Sequence, residues 1–231
     1  MSLQQQTGAA APRPAGAKAG GRASAFLAVI YICAVLLGAA LMAFEILVSR
    51  MLTPYFGGDL YNWSAVISVV LFAMMVGYFI GGRLVDWRPS LNWAALFAAI
   101  AGLWFLTLDF YADALFDWLS RVIEDVHIGV LIGAFIAQMV PVTALGAYSP
   151  IAVRVALNDI EHAGRVSGEI YAVSTIGNVI GTLGAAFYLI GTFPLSASVT
   201  AMGLVCFACA AALWAAETYL RPQEAAPSSS S

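Results

Sequence analysis

Six long apolar runs separated by short polar joints dominate the chain: Ala25–Val48, Trp63–Ile80, Leu91–Leu108, Ile128–Ala147, Ile170–Ile190 and Leu195–Ala216. Each has roughly the 18 residues or more that cross a hydrocarbon core of about 30 Å. In lipid a helix satisfies its backbone hydrogen bonds within itself, so the runs are predicted to be α-helical. The expected fold class is all-α, a polytopic transmembrane bundle of six spans. A different pattern fills Asp109–His127. There Tyr111, Leu115, Trp118, Leu119 and Val122 recur at helical spacing, while Asp113, Asp117, Arg121 and Glu124 take another face. This predicts an amphipathic helix lying along the outer interface. Residues 1–24 and 220–231 lack apolar periodicity and are expected to be disordered cytoplasmic tails around a membrane domain at 25–219.

Composition sharpens this picture. The 231 residues are 61% hydrophobic and 10% charged, against about 25% charged in ordinary globular chains. The core must therefore be shared with the lipid bilayer. A net charge of −3 without a basic cluster gives no basis for a nucleic-acid partner. Placing the N-terminus inside puts Arg13, Lys18, Arg22, Arg83, Arg88, Arg154, Arg165 and Arg221 on the cytoplasmic side, leaving Arg50 and Arg121 outside. The positive-inside rule favours that orientation, with both termini cytoplasmic. Cys33, Cys206 and Cys209 lie within apolar runs and read as packing residues. His162 has no second imidazole or thiolate at ligand spacing. The chain has no glycine-rich phosphate loop and no H-E-x-x-H string, so no cofactor or metal is expected.

Candidate chemistry sits in a few polar positions. Glu45 lies inside the first apolar run, where a carboxylate is expensive and normally has a partner or a task. Arg50, nearest in sequence and placed at the start of a loop, is its expected partner; a solute amine is the alternative. In the fifth run Ser174, Gly177, Asn178, Gly181 and Ala185 share one helix face. Small residues there let another helix approach, and Asn178 is placed to hydrogen-bond across the contact or to line a polar cavity. Pro141 is expected to kink the fourth span, and Pro150 to open a short helix over Pro150–Leu157.

Two blocks carry a resemblance. FEILVSRMLTPYFGGDLYNWSAVISV with GYFIGGRLVDW, and YSPIAVRVALND followed by GRVSGEIYAVSTIGNVIGTLGAAFYLIGTFP, resemble the membrane domain of bacterial fused spermidine synthase-like proteins. The resemblance implies a bacterial inner-membrane location. In that family the helices are followed by a soluble aminopropyltransferase-like domain. Here the sequence ends at Ser231 without a G-G-G-D-G loop, so aminopropyl transfer by this polypeptide alone is not expected. The string Gly82-Arg83-Leu84-Val85-Asp86, with Arg88 beyond it, is similar to the loop between spans two and three of major facilitator transporters. Six spans would match half of such a transporter.

Three readings follow. One is a membrane protein that binds or transports a small polar, polyamine-like solute through Glu45, Arg50 and Asn178, with Gly82, Asp86, Arg88, Pro141, Gly177 and Gly181 shaping the helices. The alternative is an anchor subunit for a separately encoded aminopropyltransferase-like enzyme. The third is a membrane enzyme using Glu45 as general base, for which no second catalytic group is visible. The candidate partners are the bilayer, such a soluble enzyme and a second copy of the chain in a homodimer.

Overall fold

The computed structural model describes residues 16–157 and 163–221. Eight α-helices follow in order: α1 (Gly16–Phe56), α2 (Leu60–Trp87), α3 (Asn92–Val122), α4 (Val126–Gly146), α5 (Tyr148–Ala156), α6 (Ala163–Gly184), α7 (Ile190–Thr192) and α8 (Leu195–Ala215). A π-helical turn, Ala185–Leu189, carries α6 into α7, and another, Ala216–Leu220, extends α8. No strand occurs among the described residues. Six helical segments are long and apolar enough to cross a membrane, with α4–α5 forming one and α6–α7 another.

The first span overruns its apolar limit. Met51, Leu52 and Phe56 remain buried, and Leu52 and Phe56 lie against Gly133 and Gly129 of α4, so packing continues the helix beyond Val48. It stops where Gly57 adopts φ +86°, a left-handed conformation that suits a residue without Cβ. Asp59 then caps α2 by accepting from the backbone N–H groups of Tyr61 and Asn62. Buried Asn62 ties the two helices together, its amide donating to the Gly57 carbonyl at 2.8 Å and to the Ser49 carbonyl at 3.3 Å. At the other end α1 begins at Gly16, inside the stretch expected to be a tail; residues 1–15 lie outside the described residues, as do 222–231.

The amphipathic segment differs from expectation. Leu108, Ala112, Phe116 and Leu119 prolong the buried stripe of α3 at spacings of three and four, so no break separates Asp109–Val122 from the span. One continuous helix replaces a span followed by a separate surface helix, because that stripe keeps finding a partner in the bundle. At Asp125 a new cap starts α4: its carboxylate accepts from the N–H groups of His127 and Ile128. These two donors hold its carboxyl below the ordinary carboxylate range.

Helix α1 is the hub, packing on α2, α4, α6 and α8. Phe44, Leu47, Val48 and Leu52 are fully enclosed, and Phe44 meets Phe105 of α3 with ring centroids 4.4 Å apart. Glycines set the closest approaches. A Cβ on Gly177 or Gly181 of α6 would overlap the carbonyl oxygens of Val35 or Ala39 of α1. On Gly77 or Gly81 of α2 it would meet the backbone of Thr143 and Ala147. Between α3 and α8, Gly102 approaches the carbonyl of Gly203. Small residues thus bring backbones together, as van der Waals association in lipid requires.

Candidate functional site

Two prolines shape the fourth span in different ways. Pro141 offers no N–H to the carbonyl of Ala137, yet α4 runs on unbroken. Trp104 of α3 supplies the missing donor, its indole Nε1 donating to Ala137 O at 2.9 Å. Pro150 likewise leaves the Gly146 carbonyl without its i+4 donor. No side chain replaces it among the described residues, so the break between α4 and α5 is one in the hydrogen-bond ladder and not in the backbone: Ala147 keeps helical dihedrals and its N–H reaches the Thr143 carbonyl at 3.1 Å. Pro150, expected to open a short helix, occupies the first turn of α5 (Tyr148–Ala156).

A cavity of about 90 Å³ opens beside this break. Leu37, Gly38 and Leu41 of α1, and Met74 and Tyr78 of α2, form part of its wall. The α4–α5 break contributes Leu145, Gly146, Tyr148 and Ser149, and α6 adds Tyr171, Ser174, Thr175 and Asn178. Gly38 lets α6 close on α1 at this wall. A Cβ there would stand 2.7 Å from the Ser174 carbonyl and 2.8 Å from Asn178 Oδ1.

The polar groups divide into satisfied and free ones. Tyr148 donates to the Ile30 carbonyl at 2.6 Å, and Thr175 returns its hydroxyl to the Tyr171 carbonyl at 2.7 Å. Ser149, Ser174 and the Asn178 amide have no hydrogen-bond partner among the described residues. Ser149 is 9% exposed, while Ser174 and Asn178 are half-buried. None of the lining residues is charged. Chemically this is a neutral pocket rich in hydroxyl and carbonyl acceptors, with room for a few waters or one end of a small solute.

Asn178 lines the cavity, while Gly177 and Gly181 beside it make the α1 contact. Its amide makes no hydrogen bond across that contact among the described residues. Glu45 is half-buried and lies outside the lining, but it shares a stripe of α1 with Gly38 and Leu41 at spacings of seven and four. It has no ion pair or hydrogen bond among the described residues. The anticipated Glu45–Arg50 contact is absent. Because α1 continues through Arg50, residues five apart point about 140° from each other, and Arg50 is exposed.

The charged hairpin is largely helix. Gly82 to Asp86 form the last turns of α2, and Arg88 closes it by donating its N–H to the Leu84 carbonyl at 3.0 Å. The close contacts fall on Gly77 and Gly81, while a Cβ on Gly82 would meet nothing within 4 Å. Asp86 is exposed and has no ion pair among the described residues. Asn158, Asp159 and His162 lie outside the described residues. The cysteines behave as packing residues: all three are buried and free, with Cys33 of α1 beside Cys209 of α8.

Sequence reasoning missed Gly38, Tyr78, Tyr148, Ser149 and Tyr171. The available signal was Ser149-Pro150 directly after an apolar run. It also missed Glu217, which accepts from Ser90 at 2.6 Å and pairs with Arg221 at the basic end of the bundle. No family model, curated protein or solved structure matches this chain.

Proposed function

We propose that the chain is a bacterial inner-membrane protein, both termini cytoplasmic, that binds or moves a small polar, polyamine-like solute. The observation that carries this reading is the cavity between α1, α2, α6 and the α4–α5 junction, with the side chains of Ser149, Ser174 and Asn178 unpartnered in its wall among the described residues. Polar groups in a cavity wall without protein partners are available to water or to a solute. Glu45, on the same stripe of α1, supplies the negative charge an ammonium group seeks. The test is uptake of radiolabelled spermidine into liposomes containing the purified chain. Uptake should exceed that of protein-free vesicles and fall several-fold in Asn178→Leu and Glu45→Gln. Unchanged uptake in both variants would remove these residues from the site.

A second reading, the anchor subunit, is favoured by the basic end of the bundle. Arg83, Arg88 and Arg154 are exposed there, and none forms an ion pair among the described residues. It predicts that a soluble aminopropyltransferase-like enzyme co-purifies from native membranes, and that purified chain alone moves no spermidine.

A further inference from the structure

Gln138 of α4 is fully buried, and neither its Oε1 nor its Nε2 has a hydrogen-bond partner among the described residues. An unpaired primary amide inside a membrane bundle is costly, and a leucine of similar size would serve packing better. Its depth follows from the contacts of α4. Leu52 and Phe56 of α1 lie against Gly133 and Gly129, so these two helices run antiparallel. Glu45 is seven residues from Leu52, and Gln138 five from Gly133, both towards the basic end. That puts Glu45 and Gln138 within about 3 Å of the same depth. Helix α2 runs parallel to α4, because Thr143 donates to the Ala73 carbonyl at 3.1 Å and Gly77 meets Ala147. Asn62 is eleven residues back from Ala73, and Gln138 five back from Thr143. Asn62 therefore lies about 9 Å nearer the end where Asp59 and Asp125 cap their helices. Its Nδ2 is bonded, but its Oδ1 is buried and unpartnered. In the other direction Leu145, in the cavity wall, is seven residues or about 10 Å beyond Gln138.

Resting on the reading that the chain moves a solute, we propose that Gln138 and Glu45 form a mid-membrane station on its path, between the cavity and Asn62. The free groups suit a hydrated ammonium. Gln138 Oε1, a Glu45 carboxylate and Asn62 Oδ1 all accept from N–H groups, while Gln138 Nε2 donates to water accompanying the cation. Neither Glu45 nor Gln138 lines the cavity, and packing seals Gln138 in this conformation. A solute held at Ser149, Ser174 and Asn178 therefore reaches the amide only when the bundle rearranges. Gln138 serves passage, not the first binding step.

The test separates those two steps. The full chain is measured in detergent for spermidine binding by calorimetry, and in liposomes for uptake of radiolabelled spermidine. Gln138→Leu removes the amide and keeps a side chain of similar size. Expected are an equal or higher melting temperature, unchanged spermidine binding and several-fold slower uptake, with Gln138→Asn restoring part of the rate. Unchanged uptake overturns the proposal. A lowered melting temperature does so as well, by assigning the amide a structural partner. Weaker binding in step with slower uptake overturns it too, by moving Gln138 into the cavity site. A wild type that binds spermidine but moves none leaves no passage to serve, so the proposal fails while binding stands. A wild type that neither binds nor moves spermidine removes the solute reading itself and the proposal with it.

Discussion

Trp104 and Pro141 form a pair whose coupling can be measured. Pro141 removes the donor for the Ala137 carbonyl, and the Trp104 indole replaces it at 2.9 Å. Trp104→Phe keeps an aromatic ring and deletes the N–H, leaving the carbonyl unsatisfied within the span. An orphaned buried acceptor costs about 1–3 kcal/mol, whereas hydrogen bonds between membrane helices average about 0.6 kcal/mol and reach about 1.7 kcal/mol. The lower scale governs here, so the hydrogen-bond share of the loss should be about 1 kcal/mol. Pro141→Ala returns a backbone N–H to the same carbonyl. In that background Trp104→Phe should lose only its packing share, which cancels in the double-mutant cycle, leaving a coupling of about 1 kcal/mol. Reversible unfolding in mixed micelles, followed by circular dichroism, measures all four proteins. Effects additive within about 0.3 kcal/mol would refute the claim that the indole replaces the proline's missing donor.

Further outcomes test the rest of the bundle. Gly181→Ala must push α6 off the Ala39 carbonyl and should cost about 1–3 kcal/mol as overpacking. Gly184→Ala, where a Cβ meets nothing within 4 Å, should leave stability unchanged or slightly raised; equal melting temperatures would place the α1 contact elsewhere. Asp59→Ala removes the α2 cap and should cost about 1 kcal/mol in the same unfolding assay. Because the Asp125 carboxyl is held below its ordinary value, its stabilising share is fully present above about pH 3.9. That share is lost as pH falls through the lower folded value, so the stability difference between wild type and Asp125→Asn should shrink on acidification below about pH 4 and stay constant above it. Cysteine labelling from either side should find the Asp113 region outside and Ala225 inside, and the opposite result would invert the orientation.

The spans were legible because their signal is local: run length and hydropathy alone decide that a segment is helical and apolar. Their ends were not. Whether α1 stops at Val48 or continues to Phe56 depends on Gly129 and Gly133, about eighty residues away in the chain. The same holds for α3, whose amphipathic end looks like a surface helix until Phe116 and Leu119 find partners. Asn178 was visible as a polar residue on a small-residue face. The Glu45–Arg50 pairing failed for a simpler reason: it assumed a loop where the helix continues, and helical geometry turns residues five apart away from each other.

The cavity could not be read from any one segment, because it follows from where the close contacts fall. Gly177 and Gly181 draw α6 against the backbone of α1, and Gly77 and Gly81 draw α2 against the break between α4 and α5. Each pair of helices is pulled to its own partner, so α2 and α6 do not close on one another, and Gly38 keeps the floor between them free of a Cβ. The polar residues then face the remaining space because their helices have no rotational choice: turning α6 to hide Asn178 would lift Gly177 and Gly181 out of contact. The glycines that look purely structural in the sequence are thus what hold Ser149, Ser174 and Asn178 against an opening. Filling one of them should disturb the site and the fold together, whereas Ser149→Ala should disturb the site alone.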